Sequence, residues 1–451
     1  MIKKNLTKAA IVLILIAAAW YGKNLNTWGK NRVIQHDVIS YYAYLPAAII
    51  FSDLSFEFAK TLPNDFDGTI WLHETPSGKP IVRMTMGLAF LWLPFFLLAH
   101  LSALALPVAA YGYSWPYGLS IFIAALFYLF IGLYYLRKIL LRYFSEAIAG
   151  ITLLIVFFAT NLNYYVIFEP GMSHVYNFAL ITTLVHFSLN WVQKPGVKTS
   201  VVLGILAGLI VLIRPVNIIV LVFPALVGVA SVNDFAQRLK NNWKLIMLAG
   251  FVAFLVLLPQ MAFWKMQTGQ WLFNSYLDQG KFYFLKPNIW HGLFSFRKGW
   301  LIYTPVMIFG LLGFFWLRKI APKLFVPILI FVVLNLYIVY SWWCWWYGGS
   351  FGSRPMIDMY GLMAIPLAAF FQKVNNSKVW VKGAAALIFS AFIWLNQFQM
   401  DQYRSSLLHW DSMTKEAYFA IFGKKKWPGN YESLIKIPDY EKALNGESEY
   451  P

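Results

Sequence analysis

The sequence predicts an all-α protein: a polytopic transmembrane bundle of about eleven spans, with juxtamembrane helices in the first outer loop. Three observations lead there. Of the 451 residues, 59% are hydrophobic and 12% charged, where soluble domains carry about 25% charged residues. Apolar segments recur at approximately 6–21, 84–107, 115–136, 147–167, 172–192, 200–213, 215–231, 245–262, 300–317, 324–341, 357–372 and 380–397. Aromatic residues reach 19%, with 20 Trp and 26 Tyr, the residue types that favour the membrane–water boundary.

Each element follows from its flanks. Lys3, Lys4 and Lys8 precede an apolar run to Trp20, and Trp20-Tyr21-Gly22-Lys23 lacks a small-residue cleavage site, so the run reads as an uncleaved first helix. Basic clusters fall at Arg137-Lys138 with Arg142, at Lys194 and Lys198, at Arg238, Lys240 and Lys244, at Arg318-Lys319 with Lys323, and at Lys373, Lys378 and Lys382. All of them become cytoplasmic if one early segment does not cross. Segment 84–107, with Pro94, His100 and Pro107, is the expected re-entrant or interfacial helix. Loops 22–83, 263–299 and 342–356, the Glu169 region and the tail then share the outer face. Two regions are expected: 1–397, the membrane domain including outer loop 22–107, and 398–451, a short outer tail.

The net charge of +18 serves this topology rather than nucleic acid, and neither a Walker nor a dinucleotide motif occurs in context. Cys344 is the single cysteine, which excludes an intramolecular disulfide or a cysteine zinc cluster.

Chemistry-bearing residues concentrate in the outer loops. Asp37 follows the first helix in His36-Asp37-Val38-Ile39-Ser40-Tyr41-Tyr42, either as a helix cap or as a desolvated base. Glu169, in Phe168-Glu169-Pro170-Gly171, is the only acid between Glu146 and Asp234, and His174 lies five residues on. Arg83, Arg297-Lys298 and Arg354 are cations retained against the topological bias, and Arg214 interrupts an apolar run before Pro215. Guanidinium matches phosphate oxygens with paired hydrogen bonds, so these residues are candidates for a lipid-linked phosphate; snorkelling is the alternative. Trp342-Trp343-Cys344-Trp345-Trp346-Tyr347 is an interfacial aromatic cluster and, secondarily, a sugar-stacking surface, with Trp346 and Tyr41 as contact candidates.

The layout resembles the C-type membrane glycosyltransferase superfamily, which includes protein O-mannosyltransferases and lipid A aminoarabinose transferases. The resemblance rests on Asp37 after the first helix, Glu169 in the next outer loop, the turn from Gly208 to Arg214-Pro215, and the Gly348-Gly349…Phe351-Gly352-Ser353-Arg354-Pro355 segment with Ser295-Phe296-Arg297-Lys298-Gly299. Many relatives have Asp where this chain has Glu169. The resemblance implies transfer of a sugar from a polyprenyl-phosphate donor to an acceptor hydroxyl on a glycan, lipid or protein, at the outer face of a bacterial inner membrane. It implies Asp37 as base, Glu169 orienting the acceptor, Arg83 and Arg354 with Arg297 and Lys298 at the donor phosphate, and Tyr41, His174 and Trp346 at the sugar or acceptor. A divalent metal is optional, membrane lipids are partners and nucleic acid is not. A secondary transporter or flippase of a lipid-linked or small polar substrate stays open as the alternative.

Overall fold

A computed structural model describes residues 5–30, 32–62 and 68–448. The chain is all-α, 68% helical, and its only sheet among the described residues is the hairpin pairing Leu72–Glu74 with Pro80–Val82. Six described helices are long and apolar enough to cross a membrane: Leu6–Leu25, Gly87–Ala105, Trp115–Leu140, Val232–Thr268, Pro322–Tyr340 and Val379–Arg404. Together they point to an integral membrane protein.

This corrects the expected eleven spans to six helices of spanning length and composition. Apolar runs report burial, and burial in protein reads like burial in lipid. The run 147–167 divides into Glu146–Phe158 and Leu162–Ile167, and 300–317 into Trp300–Tyr303 and the start of Val306–Ile320. Val197–Ile213 and Pro215–Leu226 are apolar but short. Ser173–Gln193 has 21 residues, almost all buried, and its protein surroundings accommodate His174, Asn177, Thr182, Thr183 and His186 where lipid would not.

The bundle has two chemically different ends. At one, the Thr7 hydroxyl and backbone N–H donate to Glu146, and Arg137 Nε donates to the same hydroxyl at 2.6 Å. Arg142 meets Asn190 at this end, and Arg238 donates to the carbonyls of Ala225 and Val227. At the other end the described residues of loops 32–62, 68–86, 269–299 and 341–353 and of the tail to 448 come together. The Val379–Arg404 helix carries the chain into that tail, running through the 397/398 boundary.

Leu6–Leu25 and Trp115–Leu140 run antiparallel: Gly22 abuts Phe122 and Trp28 packs on Gly118, while Thr7 meets Arg137. The chain therefore enters Trp115–Leu140 at the end where it left Leu6–Leu25. Gly87–Ala105 lies between them as one helix, continuous through Pro94. It starts against Ile213, runs antiparallel beside Trp115–Leu140 with Tyr128 reaching the Leu91 carbonyl and His100 meeting Tyr117, and leads into a segment whose Gly112 packs on Pro46.

Two helix pairs approach closely through glycine. An added Cβ at Gly204 or Gly208 would lie 2.4 Å from the Ala249 carbonyl oxygen or 2.7 Å from Val256, which joins Val197–Ile213 to Val232–Thr268 by a small-xxx-small face. A Cβ at Gly313 would lie 1.8 Å from the Pro366 carbonyl oxygen.

Two outcomes are expected. Reporter fusions after Lys198 and after Tyr440 should report opposite sides of the membrane; the same side for both would contradict this arrangement. Gly313→Ala should lower the thermal unfolding midpoint in detergent, at a cost of about 1–3 kcal/mol from overpacking.

Candidate functional site

The loop-rich end encloses adjoining cavities built around Asp37. His36 adopts φ 50°, ψ −132°, a strained conformation for a residue with a Cβ, and turns the chain into the short helix Asp37–Tyr42. Asp37 is the first residue of that helix. Its carboxylate does not cap: Oδ2 accepts from Arg354 Nη2 at 3.1 Å. Arg354 reaches it from the 3-10 helix Arg354–Met359, which follows Gly352 at φ 62°. Tyr347 and Gly348, also at positive φ, bend the intervening loop inward.

A cavity of about 720 Å³ lies on one side of the Asp37–Arg354 pair, lined by Gln35, His36, Tyr164, Glu169, Tyr403 and Trp410 among others. A second cavity, of about 550 Å³, is lined by Tyr41, Arg83, His174, Arg214, Tyr276 and Trp343. Asp37, Met172, Tyr347, Gly348 and Arg354 belong to the walls of both. A smaller space of about 220 Å³ continues from Arg83 and Arg214 along Ile213, Trp264, Phe273 and Phe282, an apolar groove with a cationic head.

The charges are unequally compensated. Arg354 is paired with Asp37, and Arg214 with Asp358 at 2.9 Å. Arg83 has no ion pair among the described residues; its guanidinium lies 5.6 Å from the Tyr276 ring centroid, and its Nε is buried without a hydrogen-bond partner. An unsatisfied buried donor on a cation, at a cavity wall, is the state an anionic ligand would relieve.

Burial raises the Glu169 carboxyl above its ordinary range, opposed by nearby Arg354 and by a hydrogen bond from Tyr164 Oη at 3.1 Å. Burial pulls the Lys298 ammonium down to about 7, against attraction from Asp411 and Glu169. It also pushes the Cys344 thiol up to about 12, which makes Cys344 a poor nucleophile although it touches the cavity.

Of the residues expected from sequence, Asp37, Glu169, Arg83, Arg354, Tyr41 and His174 line these cavities. Arg297, Lys298 and Trp346 are not among the lining residues. Arg297 is buried over the Trp346 ring, Lys298 donates to the Ser350 carbonyl, and Trp346 is fully buried with its Nε1 donating to Tyr440 Oη. Their place is behind the wall, where they brace the 341–353 loop against 295–299 and the tail. The aromatic cluster turns Trp342, Trp343 and Tyr347 to the cavity instead. Two residues at or beside the cavities, Asp358 and Tyr276, were not expected from the sequence. Asp358 had a readable signal, a carboxylate four residues after Arg354 and opening an apolar run. Among the described residues no group of three His, Cys, Asp or Glu is placed to hold a metal ion.

Compared with known proteins, the sequence matches no family model and no curated protein.

The Glu169 shift sets a sign. A carboxyl with a raised folded pKa contributes stability fully below its unfolded value near 4.5, and loses it as pH rises through the folded pKa. Glu169→Gln should therefore stabilise the protein at neutral pH relative to wild type and flatten the decline in melting temperature above pH 4.5. Parallel melting curves for the two proteins from pH 4 to 8 would contradict burial as the dominant influence.

Proposed function

We propose that this protein is an integral membrane glycosyltransferase that moves a sugar from a polyprenyl-phosphate carrier to an acceptor hydroxyl. The observation that carries the reading is Asp37 and Arg83 in one cavity wall, an ion-paired carboxylate beside a cation without a carboxylate partner. The resemblance to C-type glycosyltransferases in the layout of Asp37, Glu169 and Arg354 supports it further.

The reaction requires three things of the site. The acceptor oxygen attacks the anomeric carbon as the bond from that carbon to the phosphate oxygen breaks. The acceptor proton passes to Asp37, whose carboxylate the Arg354 guanidinium holds and aims. The departing lipid phosphate takes the negative charge, and Arg83 with Arg354 meets it in a partly dehydrated site where such contacts are strong. The apolar groove beyond Arg83 suits the first isoprene units of the carrier. Glu169, on the other side of Asp37, suits an acceptor hydroxyl: burial shifts its carboxyl toward the protonated form, which can donate a hydrogen bond.

The distribution of Lys and Arg supports the sidedness. Arg137, Arg142 and Arg238 gather at the end opposite the cavities, which the positive-inside rule assigns to the cytoplasm. The cavities then open at the outer face, the periplasmic side of a bacterial inner membrane.

Asp37→Asn should fold with a lowered melting temperature, since Arg354 loses its carboxylate partner, and should lose transfer by about 10²–10⁴-fold, the usual contribution of a general base. Glu169→Gln should lose less. The assay incubates membranes with a panel of radiolabelled polyprenyl-phosphate sugars and follows label into acceptor. Transfer at the wild-type rate by Asp37→Asn would remove the proposed mechanism.

A further inference from the structure

One carboxylate beside the cavities has no part in the chemistry above. Asp358 is 1% exposed, yet it accepts hydrogen bonds from four side chains: His174 Nδ1 at 2.9 Å, Arg214 Nη1 at 2.9 Å, Asn217 Nδ2 at 2.8 Å and Asn177 Nδ2 at 3.3 Å. A buried carboxylate with this many donors is held in one orientation. Two of its partners, His174 and Arg214, line the cavity that holds Arg83 and Arg354; Asp358, Asn177 and Asn217 do not.

The backbone prepares Arg214 for the same place. It ends the Val197–Ile213 helix with φ −144°, ψ 103°, the extended conformation that the following Pro215 imposes. That turn takes its side chain out of the helical path. Asp358 engages Nη1, whose 3.4 Å approach to His174 is the longer contact, and among the described residues the other two guanidinium nitrogens have no hydrogen-bond partner. Arg214 also stands at the head of the apolar groove, beside Arg83.

We infer that Arg214, clamped by Asp358, binds the phosphate of a lipid-linked ligand together with Arg83, and that Asp358 is a positioning residue acting through it. The ligand class rests on the glycosyltransferase reading; the anion contact rests on the geometry. Because the Asp358 carboxylate balances its charge, Arg214 contributes directed hydrogen bonds more than net attraction. Lysine cannot replace it, since an ammonium lacks the planar fork that serves Asp358 and a phosphate at once.

The test is equilibrium binding of farnesyl phosphate to purified protein in detergent, with farnesol and inorganic phosphate as controls, so that no transfer activity is needed. Arg214→Gln and the charge-preserving Arg214→Lys should each weaken farnesyl phosphate binding by about ten- to a hundredfold, the loss of a charged hydrogen bond, and leave farnesol binding unchanged. Asn217→Ala, which loosens the clamp without altering charge, should weaken binding severalfold in the wild-type background and not at all beside Arg214→Gln. Wild-type affinity in both folded Arg214 variants would overturn the inference, as would no binding of farnesyl phosphate to the wild type. An additive Asn217→Ala effect would remove Asp358 as a positioning residue. Competition by inorganic phosphate as effective as farnesyl phosphate itself would overturn the lipid-linked assignment. Arg214-dependent farnesyl phosphate binding without transfer from any polyprenyl-phosphate sugar would leave this inference standing and remove the transferase reading.

Discussion

Most of the charged architecture of the cavity walls hangs on one short 3-10 helix, Arg354–Met359. It presents a cation at its start and a carboxylate one turn later. Arg354 reaches Asp37 in the first loop, while Asp358 gathers His174, Asn177, Arg214 and Asn217 from two other segments. A charge buried in an apolar bundle must be paired and hydrogen-bonded, and removing either partner of such a pair is far more costly than the pair's net worth. The requirement of compensation thus locks together three stretches of chain that are distant in sequence, and it locks them where the cavities open.

The same constraint explains why the cations of this protein fall into distinct populations. Arg137 and Arg142 sit at the basic end, where they tie helix ends together through Thr7, Glu146 and Asn190. Arg297 and Lys298 are buried behind the cavity wall and serve the loop that forms it, through the Trp346 ring and the Ser350 carbonyl. Arg83, Arg214 and Arg354 face the cavities, and of these only Arg83 lacks a carboxylate. A cavity whose other arginines are already neutralised by neighbours discriminates by the direction of its donors as much as by charge. That combination, with the apolar groove running from Arg83 and Arg214, describes an amphiphilic anion better than a free one.

The cavities with their apolar groove also account for the irregular length of the helices. Val197–Ile213 stops at Arg214, and Leu162–Ile167 gives way to the Glu169 turn. Each helix ends where its last residue or the following loop has to contribute to a cavity wall. Apolar length along the chain therefore overstates the helices that match a bilayer.

Composition and the spacing of apolar runs determined an all-α protein rich in membrane-length helices, because no soluble fold of this size could bury so much apolar surface. Asp37, Glu169, Arg83 and Arg354 were legible too, since polar residues at the edges of apolar runs are costly and so informative. The number of helices of spanning length was not, because a run of Ile, Leu and Phe reads alike whether lipid or protein covers it. Nor were the roles of individual cations: Arg297, Lys298, Arg83 and Arg354 look alike in sequence. Only the tertiary structure decided that the first two brace a loop and the others face a cavity. The role of Asp358 was hidden as well, although its position after Arg354 was readable, since that role consists entirely of partners more than 140 residues away along the chain.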